Sequence, residues 1–377
     1  MKIVFTGGGS GGHFYPIIAI AESIQKIAKE KKLINPEMFF CAPSPYNQGL
    51  LYDHDIEFKK TTAGKMRRYF SLLNFTDFFK TIWGSLGALL DIFDIYPDVV
   101  FSKGGYGSFP VVLAARLLRI PVFIHESDCA PGRVNKWAGR FANRIAVSYK
   151  EASEYFPREK VAYTGQPVLE ERLAPIENGL GEFFDFDQSI PTIFVIGGSQ
   201  GAEVINNIIL DILPDLVKTF QVIHQTGAAN IEVMKESAAA VLLDNPNQKR
   251  YRPFAYLNGL EMKMAAGIAN LVISRAGSTI FEIASWAKPS IIIPIADSNN
   301  NHQVKNAFAY AKAGACSVLQ EENLKAHILL SEIKRIIENK ELNEKMREGA
   351  KNFFKPGAAD TIARELLSIA LSHEKLE

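Results

Sequence analysis

The sequence predicts an α/β protein with two Rossmann-like domains, each built on a parallel sheet. Short β-branched apolar runs alternate with helix-length segments throughout the 377 residues, and a chain of this length exceeds the size at which one hydrophobic core stops growing. A glycine-rich loop also occurs once in each half, between an apolar run and a helix-like segment. Strands that alternate with helices form parallel sheets that are covered on both faces.

The predicted strands are the short apolar runs that helix-length segments separate. In the first half they are 2–5, 38–41, 99–101, 122–124, 145–147 and 161–163, and in the second half 192–196, 271–273 and 291–293. Turn residues at 164–167 predict the domain boundary, with an N-terminal domain over 1–163 and a C-terminal domain over 164–355. An amphipathic segment over 356–377 is expected to form a helix that returns to the first domain.

Charge and composition exclude several classes of protein. The chain has 42 basic and 41 acidic residues, so its net charge of +1 creates no overall field that would attract nucleic acid. Its three cysteines, Cys41, Cys129 and Cys316, are far apart and odd in number, which fits neither a disulfide framework nor a zinc site. No run of about 18 uncharged apolar residues is present. We therefore expect a cytosolic protein with at most a peripheral membrane contact.

Both glycine-rich loops have the features of a phosphate site. The loop GGGSGGH at 7–13 and the loop GGSQGAE at 197–203 each lead from a predicted strand to a helix start. Glycines let a ligand approach the main chain, and the free N–H groups and dipole of a helix N-terminus favour an anion. Each half of the chain therefore carries a candidate phosphate site.

The first loop also matches the dinucleotide fingerprint in form, through Gly7, Gly9 and Gly12. That fingerprint requires an acidic residue after the second strand to hold a ribose. The strand at 38–41 is followed by alanine, proline and serine, and Glu22 lies inside the first predicted helix. A dinucleotide oxidoreductase is therefore the less favoured interpretation.

Several longer blocks occur in a fixed order, and through them the chain resembles the MurG family of glycosyltransferases over nearly its whole length. The blocks are GGGSGGHFYP from 7, PDVVFSKGGYGSFP from 97, HESDCAPGRVNKWAGR from 125, TGQPV from 164, GGSQGAEVIN from 197, SRAGSTIFEIA from 274 and HQVKNA from 302. The resemblance implies a GT-B architecture, in which two Rossmann-like domains face a cleft. It also implies inverting transfer of N-acetylglucosamine from UDP-N-acetylglucosamine to the 4-hydroxyl of the muramyl sugar in undecaprenyl-pyrophosphoryl-MurNAc-pentapeptide, the step from lipid I to lipid II of peptidoglycan synthesis.

The resemblance assigns donor contacts to residues of both halves. The charge that builds on departing UDP requires hydrogen-bond donors and dipoles at the diphosphate, and the loop with Ser199, Gln200 and Gly201 matches the family's diphosphate site. Glu282 matches the ribose ligand. Gln303 matches the glutamine that reads the sugar hydroxyls, with Asn306 supporting its loop. The remaining donor contacts implied by the resemblance are Ser10, Gly11, Gly12 and Asp128.

The acceptor side is implied by the blocks of the first half. His13 either takes the proton from the attacking hydroxyl or contacts the lipid diphosphate, and the residues leave both roles open. Glu126 is the rival base. Gly104, Gly105 and Tyr106 form a second N–H-rich turn, which is expected to face the lipid diphosphate.

A basic and aromatic segment predicts contact with an anionic membrane surface. Residues 59–76 contain no acid and hold Lys59, Lys60, Lys65, Arg67 and Arg68, and an aromatic stripe follows with Phe70, Leu72, Leu73, Phe75, Phe78, Phe79 and Trp83. Basic residues beside exposed aromatic residues suit a lipid surface. The competing interpretation is that the stripe belongs to the core. By resemblance, we expect a peripheral protein at the cytoplasmic face of the cell membrane.

No metal site and no cofactor are predicted. The two D-x-D strings at 53–55 and 185–187 lie away from the glycine-rich loops and are interpreted as solvated surface acids. Three residues depart from the family pattern: Asp128 replaces an asparagine, Leu169 replaces an arginine, and His302 replaces a frequent glutamine. The alternatives are transfer to another lipid such as a diacylglycerol, epimerisation of UDP-N-acetylglucosamine, and a catalytically silent nucleotide-binding or scaffold protein.

Overall fold

The computed structural model describes residues 1–64, 73–176, 179–198, 201–296, 298 and 301–372. The chain divides into two compact units. The first unit comprises Met1–Leu169 with Lys355–Glu377, and the second comprises Glu170–Phe354.

The first unit is a seven-stranded parallel sheet with helices between the strands. Its elements are β1 Lys2–Thr6, α1 Gly11–Glu30, β2 Glu37–Ala42, α2 Gln48–Asp53, β3 Ile56–Lys60, α3 Leu73–Ile95, β4 Val99–Ser102, α4 Phe109–Leu117, β5 Val122–Glu126, α5 Arg133–Ala138, β6 Arg144–Val147 and β7 Val161–Tyr163. The strand order is β3-β2-β1-β4-β5-β6-β7, and each adjacent pair is parallel.

The second unit is a six-stranded parallel sheet with the order β10-β9-β8-β11-β12-β13. Its elements are α6 Glu170–Leu173, α7 Leu180–Phe184, β8 Thr192–Ile196, α8 Glu203–Thr219, β9 Gln221–Gln225, α9 Ile231–Val241, β10 Tyr251–Phe254, α10 Gly259–Ile268, β11 Ala269–Ser274, α11 Thr279–Ser285, β12 Ser290–Ile292, α12 His302–Lys312, β13 Cys316–Val318, α13 Ala326–Glu338 and α14 Lys340–Phe353. The last helix, α15 Ala358–Ala370, belongs to the first unit.

Alternation along the strands explains how each sheet is covered. In β8, Ile193 and Val195 pack into a cluster with α8 and α13, whereas Phe194 and Ile196 pack into a second cluster with α10 and α11. Successive side chains of a strand point to opposite faces, so both faces of the sheet are apolar. In the first unit, Ile3 of β1 packs in one cluster with residues of α1 and α15.

The predicted α/β class and the predicted strands are confirmed. The structure adds strands that the sequence analysis did not name, including β9, β10 and β13. These strands are short, and two of them carry polar residues: Gln221, His224 and Gln225 lie in β9, and Arg252 lies in β10. Such strands have no continuous apolar run that distinguishes them from a loop.

The aromatic stripe forms an outward face of α3. Phe75, Phe78 and Trp83 are 70%, 60% and 72% exposed, whereas Ile92 on the same helix is completely buried. Lys65, Arg67, Arg68, Phe70 and Leu72 lie outside the described residues, as does the side chain of Leu73. The described part of the stripe is therefore surface and not core. Among the described residues, no helix combines the length and the apolar character needed to cross a bilayer.

Candidate active site

The strand order of each sheet reverses direction at one place. In the first unit this switch lies between β1 and β4, and in the second between β8 and β11. Open α/β sheets bind ligands at the carboxyl ends of their strands beside such a switch. Both predicted glycine-rich loops follow the first strand at a switch, so the topology places each of them where ligand sites of this architecture occur.

In the first unit, the two loops at the switch pack backbone against backbone. Gly105 has φ +82°, and a Cβ built on it would lie 2.9 Å from Cα of Gly8. A Cβ on Gly8 would in turn lie 2.9 Å from Nδ1 of His13. The glycines are thus required by close approach and by backbone conformation. The structure brings the predicted turn at Gly104, Gly105 and Tyr106 together with the loop that carries His13.

His13 lies in the first turn of α1 and is partly buried. Ser10 is the N-cap residue of this helix, and its Oγ lies 2.9 Å from Nδ1 of His13. Gly11 and Gly12 form the first helical positions. For Nε2 of His13 to accept a proton, Nδ1 must carry the ring hydrogen and donate it to Ser10 Oγ. Ser10 therefore supplies the partner that a basic His13 requires.

Glu126 ends β5 and is 4% exposed. Its Oε1 accepts a hydrogen bond of 3.0 Å from the N–H of Asp128, and its Oε2 accepts bonds from the N–H of Gly132 at 3.1 Å and from Asn135 Nδ2 at 2.9 Å. Burial and the nearby Asp128 raise the pKa of Glu126 to about 7, and the three donors oppose that shift. Both oxygens of this carboxylate hold the loop that follows the strand.

A buried lysine lies beside this loop. Lys103 follows β4 and is 2% exposed, with its Nζ 2.5 Å from His125 Nδ1 and 2.5 Å from Ser127 Oγ. Burial lowers the pKa of Lys103 to about 7. Burial and Lys103 hold the pKa of His125 well below its usual range. His125 is therefore neutral, with Nδ1 accepting from Lys103 and Nε2 donating to the Gly165 carbonyl at 3.2 Å.

Asn135 joins the turn after β4 to the Glu126 loop. A Cβ on Gly104, which has φ +78°, would lie 2.7 Å from both side-chain heteroatoms of Asn135. Asn135 is 2% exposed and donates to Glu126. His13, Gly104, Gly105, Tyr106 and Glu126 thus lie on loops that contact one another through a continuous set of packed residues.

In the second unit, the loop after β8 has the conformation that its glycines permit. Gly198 and Gly201 have φ +85° and +78°, and the N–H of Gly201 donates to the Gly198 carbonyl at 3.1 Å. A Cβ on Gly201 would lie 2.2 Å from the Thr226 carbonyl oxygen, so no other residue fits there. Ser199 and Gln200, the predicted side-chain contacts of the diphosphate, lie outside the described residues.

Gln225 links this loop to its neighbour. It ends β9, is 2% exposed, and donates through Nε2 to the Gly198 carbonyl at 3.2 Å. Its Oε1 accepts from the N–H of Leu257 at 3.0 Å. The side chain thus fixes the glycine-rich loop to the segment that follows β10.

Glu282 lies on α11, which follows β11 across the switch. Its Oε1 accepts a bond of 3.2 Å from Arg172 Nη1, and both side chains are mostly buried, at 13% and 7% exposure. Arg172 also donates from Nη2 to the Tyr256 hydroxyl at 2.8 Å. The carboxylate is therefore fixed by an arginine that lies 110 residues earlier in the chain.

Gln303 and Asn306 lie in the first two turns of α12. Gln303 Oε1 accepts from the N–H of Ile295 at 3.1 Å, and Asn306 Nδ2 donates to the Ala276 carbonyl at 3.1 Å. Asn306 is 1% exposed, so its part is to join α12 to the turn after β11. Three predicted residues of the second unit, Glu282, Gln303 and Asn306, thus lie on helices that follow neighbouring strands.

Comparison with known proteins identifies the family of this chain. Residues 3–147 match the glycosyltransferase family 28 N-terminal domain, and residues 192–362 match the corresponding C-terminal domain. The chain is 37% identical to UDP-N-acetylglucosamine--N-acetylmuramyl-(pentapeptide) pyrophosphoryl-undecaprenol N-acetylglucosamine transferase 2 of Bacillus cereus, over 97% of this chain and 99% of the relative. It is 34% identical to the transferase of Clostridium tetani, over 90% and 91% of the two chains.

The chain belongs to the MurG family of glycosyltransferases. Among solved structures, Acinetobacter baumannii MurG superposes with a TM-score of 0.72 at 23% identity, and the match covers 97% of this chain and 99% of that one. The UDP-N-acetylglucosamine 2-epimerase of Neisseria meningitidis, solved with its substrate UDP-N-acetylglucosamine bound, superposes with a TM-score of 0.68 at 18% identity, with coverage of 97% and 99%. At these identities the superpositions establish the shared fold.

Sequence reasoning from the MurG blocks missed the residues that hold the predicted side chains. Lys103 and Asn135 lie inside two of these sequence blocks, but the sequence alone does not distinguish a buried lysine from an exposed one. Gln225 and Arg172 lie outside the blocks, and their partners are distant in sequence. Of the three departures, Asp128 donates its N–H to Glu126, and Leu169 is buried in the core of the first unit.

Proposed function

We propose that this chain catalyses inverting transfer of N-acetylglucosamine from UDP-N-acetylglucosamine to the 4-hydroxyl of the muramyl sugar in undecaprenyl-pyrophosphoryl-MurNAc-pentapeptide. The observation that carries the proposal is the 37% identity, over 97% of this chain, to a relative that is named for this donor and acceptor. The position of both glycine-rich loops at the switch points of their sheets supports it. Epimerisation is less favoured because the epimerase similarity is limited to fold.

In this proposal the second unit binds the donor. The N–H groups of the loop Gly197–Gly201 and the N-terminus of α8 receive the diphosphate, with Ser199 and Gln200 as side-chain contacts. Such fixed dipoles stabilise the charge that builds on departing UDP. Glu282 accepts the ribose hydroxyls, Gln303 reads the sugar hydroxyls, and Asn306 keeps α12 beside the turn after β11, which its bond to Ala276 supports.

The first unit binds the acceptor in this proposal. The loops at Gly104, Gly105 and Tyr106 and at His13 receive the lipid diphosphate and the muramyl sugar, and Ser10, Gly11, Gly12 and Asp128 contribute to the donor sugar. His13 is favoured over Glu126 as the base, because both oxygens of Glu126 already accept hydrogen bonds from its own loop. Ser10 Oγ can accept from Nδ1 of His13, which makes Nε2 the basic nitrogen for proton transfer, or donate to Nδ1, which makes Nε2 a donor for a phosphate contact.

The test is transfer of labelled N-acetylglucosamine from UDP-N-acetylglucosamine to a short-chain lipid-linked muramyl-pentapeptide. We expect His13→Ala to lower kcat by roughly 100-fold to 10,000-fold, the range for loss of a general base. Glu282→Ala is expected to act chiefly by raising the donor KM. Glu348→Ala, an exposed glutamate on α14, is the control for the second unit. UDP binding without any transfer by the intact protein would refute the proposal and favour a silent nucleotide-binding protein.

We also propose that the outward face of α3 rests on an anionic membrane surface, which would place the protein peripherally at the cytoplasmic face. The support is the exposure of Phe75, Phe78 and Trp83. A cluster of large exposed apolar side chains is uncommon on the surface of a soluble protein and marks an interaction site. A groove between α3 and α4, lined by residues such as Phe78, Leu86 and Leu113, continues this apolar face. Basic residues at 59–68 precede it in the sequence.

Vesicle flotation tests the membrane contact. The double variant Phe78→Ser with Trp83→Ser is expected to reduce the affinity for phosphatidylglycerol-containing vesicles at least tenfold. A tenfold change corresponds to a loss of about 1.4 kcal/mol in binding free energy, and burial of two large apolar side chains contributes at least that much. Ile34→Ser, a change at a residue 86% exposed elsewhere in the first unit, is the matched control. Equal flotation of the double variant and the wild type would exclude this face.

A further inference from the structure

The ion pair between Arg172 and Glu282 joins two distant segments inside the second unit. Nη1 of Arg172 lies 3.2 Å from Oε1 of Glu282, and Nη2 donates to the Tyr256 hydroxyl at 2.8 Å. One guanidinium thus holds a carboxylate and a phenol on adjacent nitrogens. A planar arginine fork can make both bonds at once, whereas a lysine ammonium has no such fixed geometry.

The segment that carries Arg172 is itself fixed to the helix that carries Glu282. The indole Nε1 of Trp286 donates to the Arg172 carbonyl at 2.6 Å, and Ser285 Oγ donates to the Leu173 carbonyl at 3.3 Å. Trp286 is 3% exposed and packs in the core. Because α6 is fixed to the end of α11, the guanidinium approaches Glu282 from a defined direction.

Tyr256 follows β10, the edge strand of the sheet, and Glu282 follows β11. Both therefore lie at the carboxyl edge, where this unit would receive a nucleotide. Tyr256 is 41% exposed although its hydroxyl is engaged by Arg172. Its ring is therefore held in place while part of it stays open to solvent.

The contact to Arg172 leaves Glu282 able to bind a diol. A carboxylate offers about four lone-pair sites on its two oxygens, and the bond from Nη1 occupies one of them at Oε1. Pinning that oxygen also restricts rotation of the carboxylate about its terminal bond. A restricted carboxylate loses less freedom when it accepts two neighbouring hydroxyls.

We propose that Arg172, together with Tyr256, is a positioning residue for ribose recognition, which sets Glu282 to distinguish a ribonucleotide donor from its 2′-deoxy counterpart. This inference rests on the proposed function, because it takes Glu282 to be the ribose ligand. Arg172 acts through Glu282 and does not itself contact the nucleotide. The ligand class it selects is a ribonucleoside diphosphate with both ribose hydroxyls.

The experiment compares the affinities of the full-length protein for UDP and 2′-deoxy-UDP by titration calorimetry. The wild type is expected to prefer UDP by about tenfold, the effect of one hydrogen bond to a charged group. Glu282→Gln is expected to reduce that preference to less than about threefold. Arg172→Lys is expected to do the same while keeping a positive charge, and to raise the donor KM with little change in kcat.

Controls separate positioning from general destabilisation. Arg335→Lys makes the same substitution in a more exposed ion pair of the second unit, with Glu332 on α13, and should keep the full preference for UDP. Tyr256→Phe deletes a single oxygen and replaces the Arg172→Lys variant if that variant does not fold. We expect it to lower the preference for UDP by about threefold, which is less than the full effect of one hydrogen bond.

Two failures can be told apart. In the first case, the wild type prefers UDP, Glu282→Gln loses that preference, and both Arg172→Lys and Tyr256→Phe retain it. Glu282 is then a ribose ligand, and the positioning role of Arg172 and Tyr256 is refuted. If the wild type binds UDP and 2′-deoxy-UDP equally, or Glu282→Gln retains the preference, then the ribose role of Glu282 fails and the inference falls with it.

Discussion

Two glutamates at the carboxyl edges of the sheets, the buried Glu126 and the mostly buried Glu282, are held in contrasting ways. Glu126 in the first unit accepts bonds from donors at Asp128, Gly132 and Asn135, all within nine residues. Glu282 in the second unit is held by Arg172, which lies 110 residues away. The first arrangement is a local loop closed on its own carboxylate. The second depends on the folded sheet and on α6 for its partner.

This difference separates two ways of building a site. A carboxylate that closes its own loop gives that loop one conformation, but its oxygens are then committed to backbone and amide donors. A carboxylate held on one oxygen by an arginine retains acceptor sites for a ligand. The contrast favours Glu126 as the residue that shapes the first site and Glu282 as the residue that contacts substrate in the second.

The largest expected effect comes from removing the local carboxylate. Glu126→Ala leaves the buried Nδ2 of Asn135 and the part-buried N–H groups of Asp128 and Gly132 without this acceptor, so we expect the free energy of unfolding of the first unit to fall by about 4 kcal/mol. Urea unfolding measures it, with Glu159→Ala, an exposed glutamate of the same unit, as the control. A Glu126→Ala variant as stable as the wild type would mean that the three bonds do not hold the loop.

A pair of glycines in the second unit tests how far its edge depends on distant contacts. Gly198 and Gly201 share a positive φ, but a Cβ on Gly201 would lie 2.2 Å from the Thr226 carbonyl oxygen, whereas a Cβ on Gly198 has nothing within 4 Å. We expect Gly201→Ala to cost about 3 kcal/mol and Gly198→Ala about 1 kcal/mol of stability. Urea unfolding of the two variants checks this ratio. Equal losses would show that strain at φ, and not the contact with Thr226, decides the conformation of the loop.

Buried histidines extend the comparison to pH. His125 in the first unit contacts the amine of Lys103, a group that can carry charge, whereas His224 in the second has the neutral partners Tyr251 and Asn206, at 3.0 and 3.1 Å. Burial lowers the pKa of His224 to about 3, from 6.5 in the unfolded chain. A depressed pKa contributes stability that is present above pH 6.5 and is lost as the pH falls toward 3.

Between pH 7.5 and 5.5, His224 should therefore cost the wild type about 1.4 kcal/mol that a His224→Gln variant does not lose. Trp286 is the tryptophan of the second unit, so its fluorescence reports urea unfolding there when Trp83 and Trp137 are replaced by phenylalanine in both proteins. The relevant quantity is the difference in pH dependence, because the glutamine also loses hydrogen bonds at both pH values. An equal pH dependence of the two proteins would mean that His224 takes up its proton in the folded state over the same pH range as in the unfolded chain.

Much of the architecture follows from local sequence. The apolar run at Thr192–Ile196 is a strand with those bounds, and the two glycine-rich loops identify the first strand of each sheet. By contrast, β9 was not predicted, because Gln221, His224 and Gln225 are polar in sequence and yet buried in the sheet. Their burial depends on partners in other elements, such as Tyr251 for His224, and no local pattern reveals these.

The candidate site divides along the same line. Its glycines and its two glutamates could be predicted, because each belongs to a block of fixed spacing. Arg172 and Lys103 could not be assigned their partners, because long-range contacts are set by how strands and helices pack. For the outward face of α3, the sequence pattern was present but its burial could not be predicted. Phe75 and Trp83 follow the spacing of core residues in the sequence, and only the fold shows that they are exposed.

The smallest expected effect is the coupling free energy of an exposed ion pair. It tests whether separation in sequence or burial determines how much an ion pair contributes to stability. Arg144 Nε lies 2.6 Å from Glu365 Oε1, a pair 221 residues apart that ties α15 to β6, with side chains 54% and 39% exposed. A double-mutant cycle with Arg144→Ala and Glu365→Ala should give a coupling of about 0.5 kcal/mol, because exposed ion pairs are hydrated and screened. The same cycle at Arg172 and Glu282 should give several times more, because both side chains are mostly buried. Equal couplings would show that the Arg172 contact gains nothing from burial, and the contrast between the two edges would then rest on geometry alone.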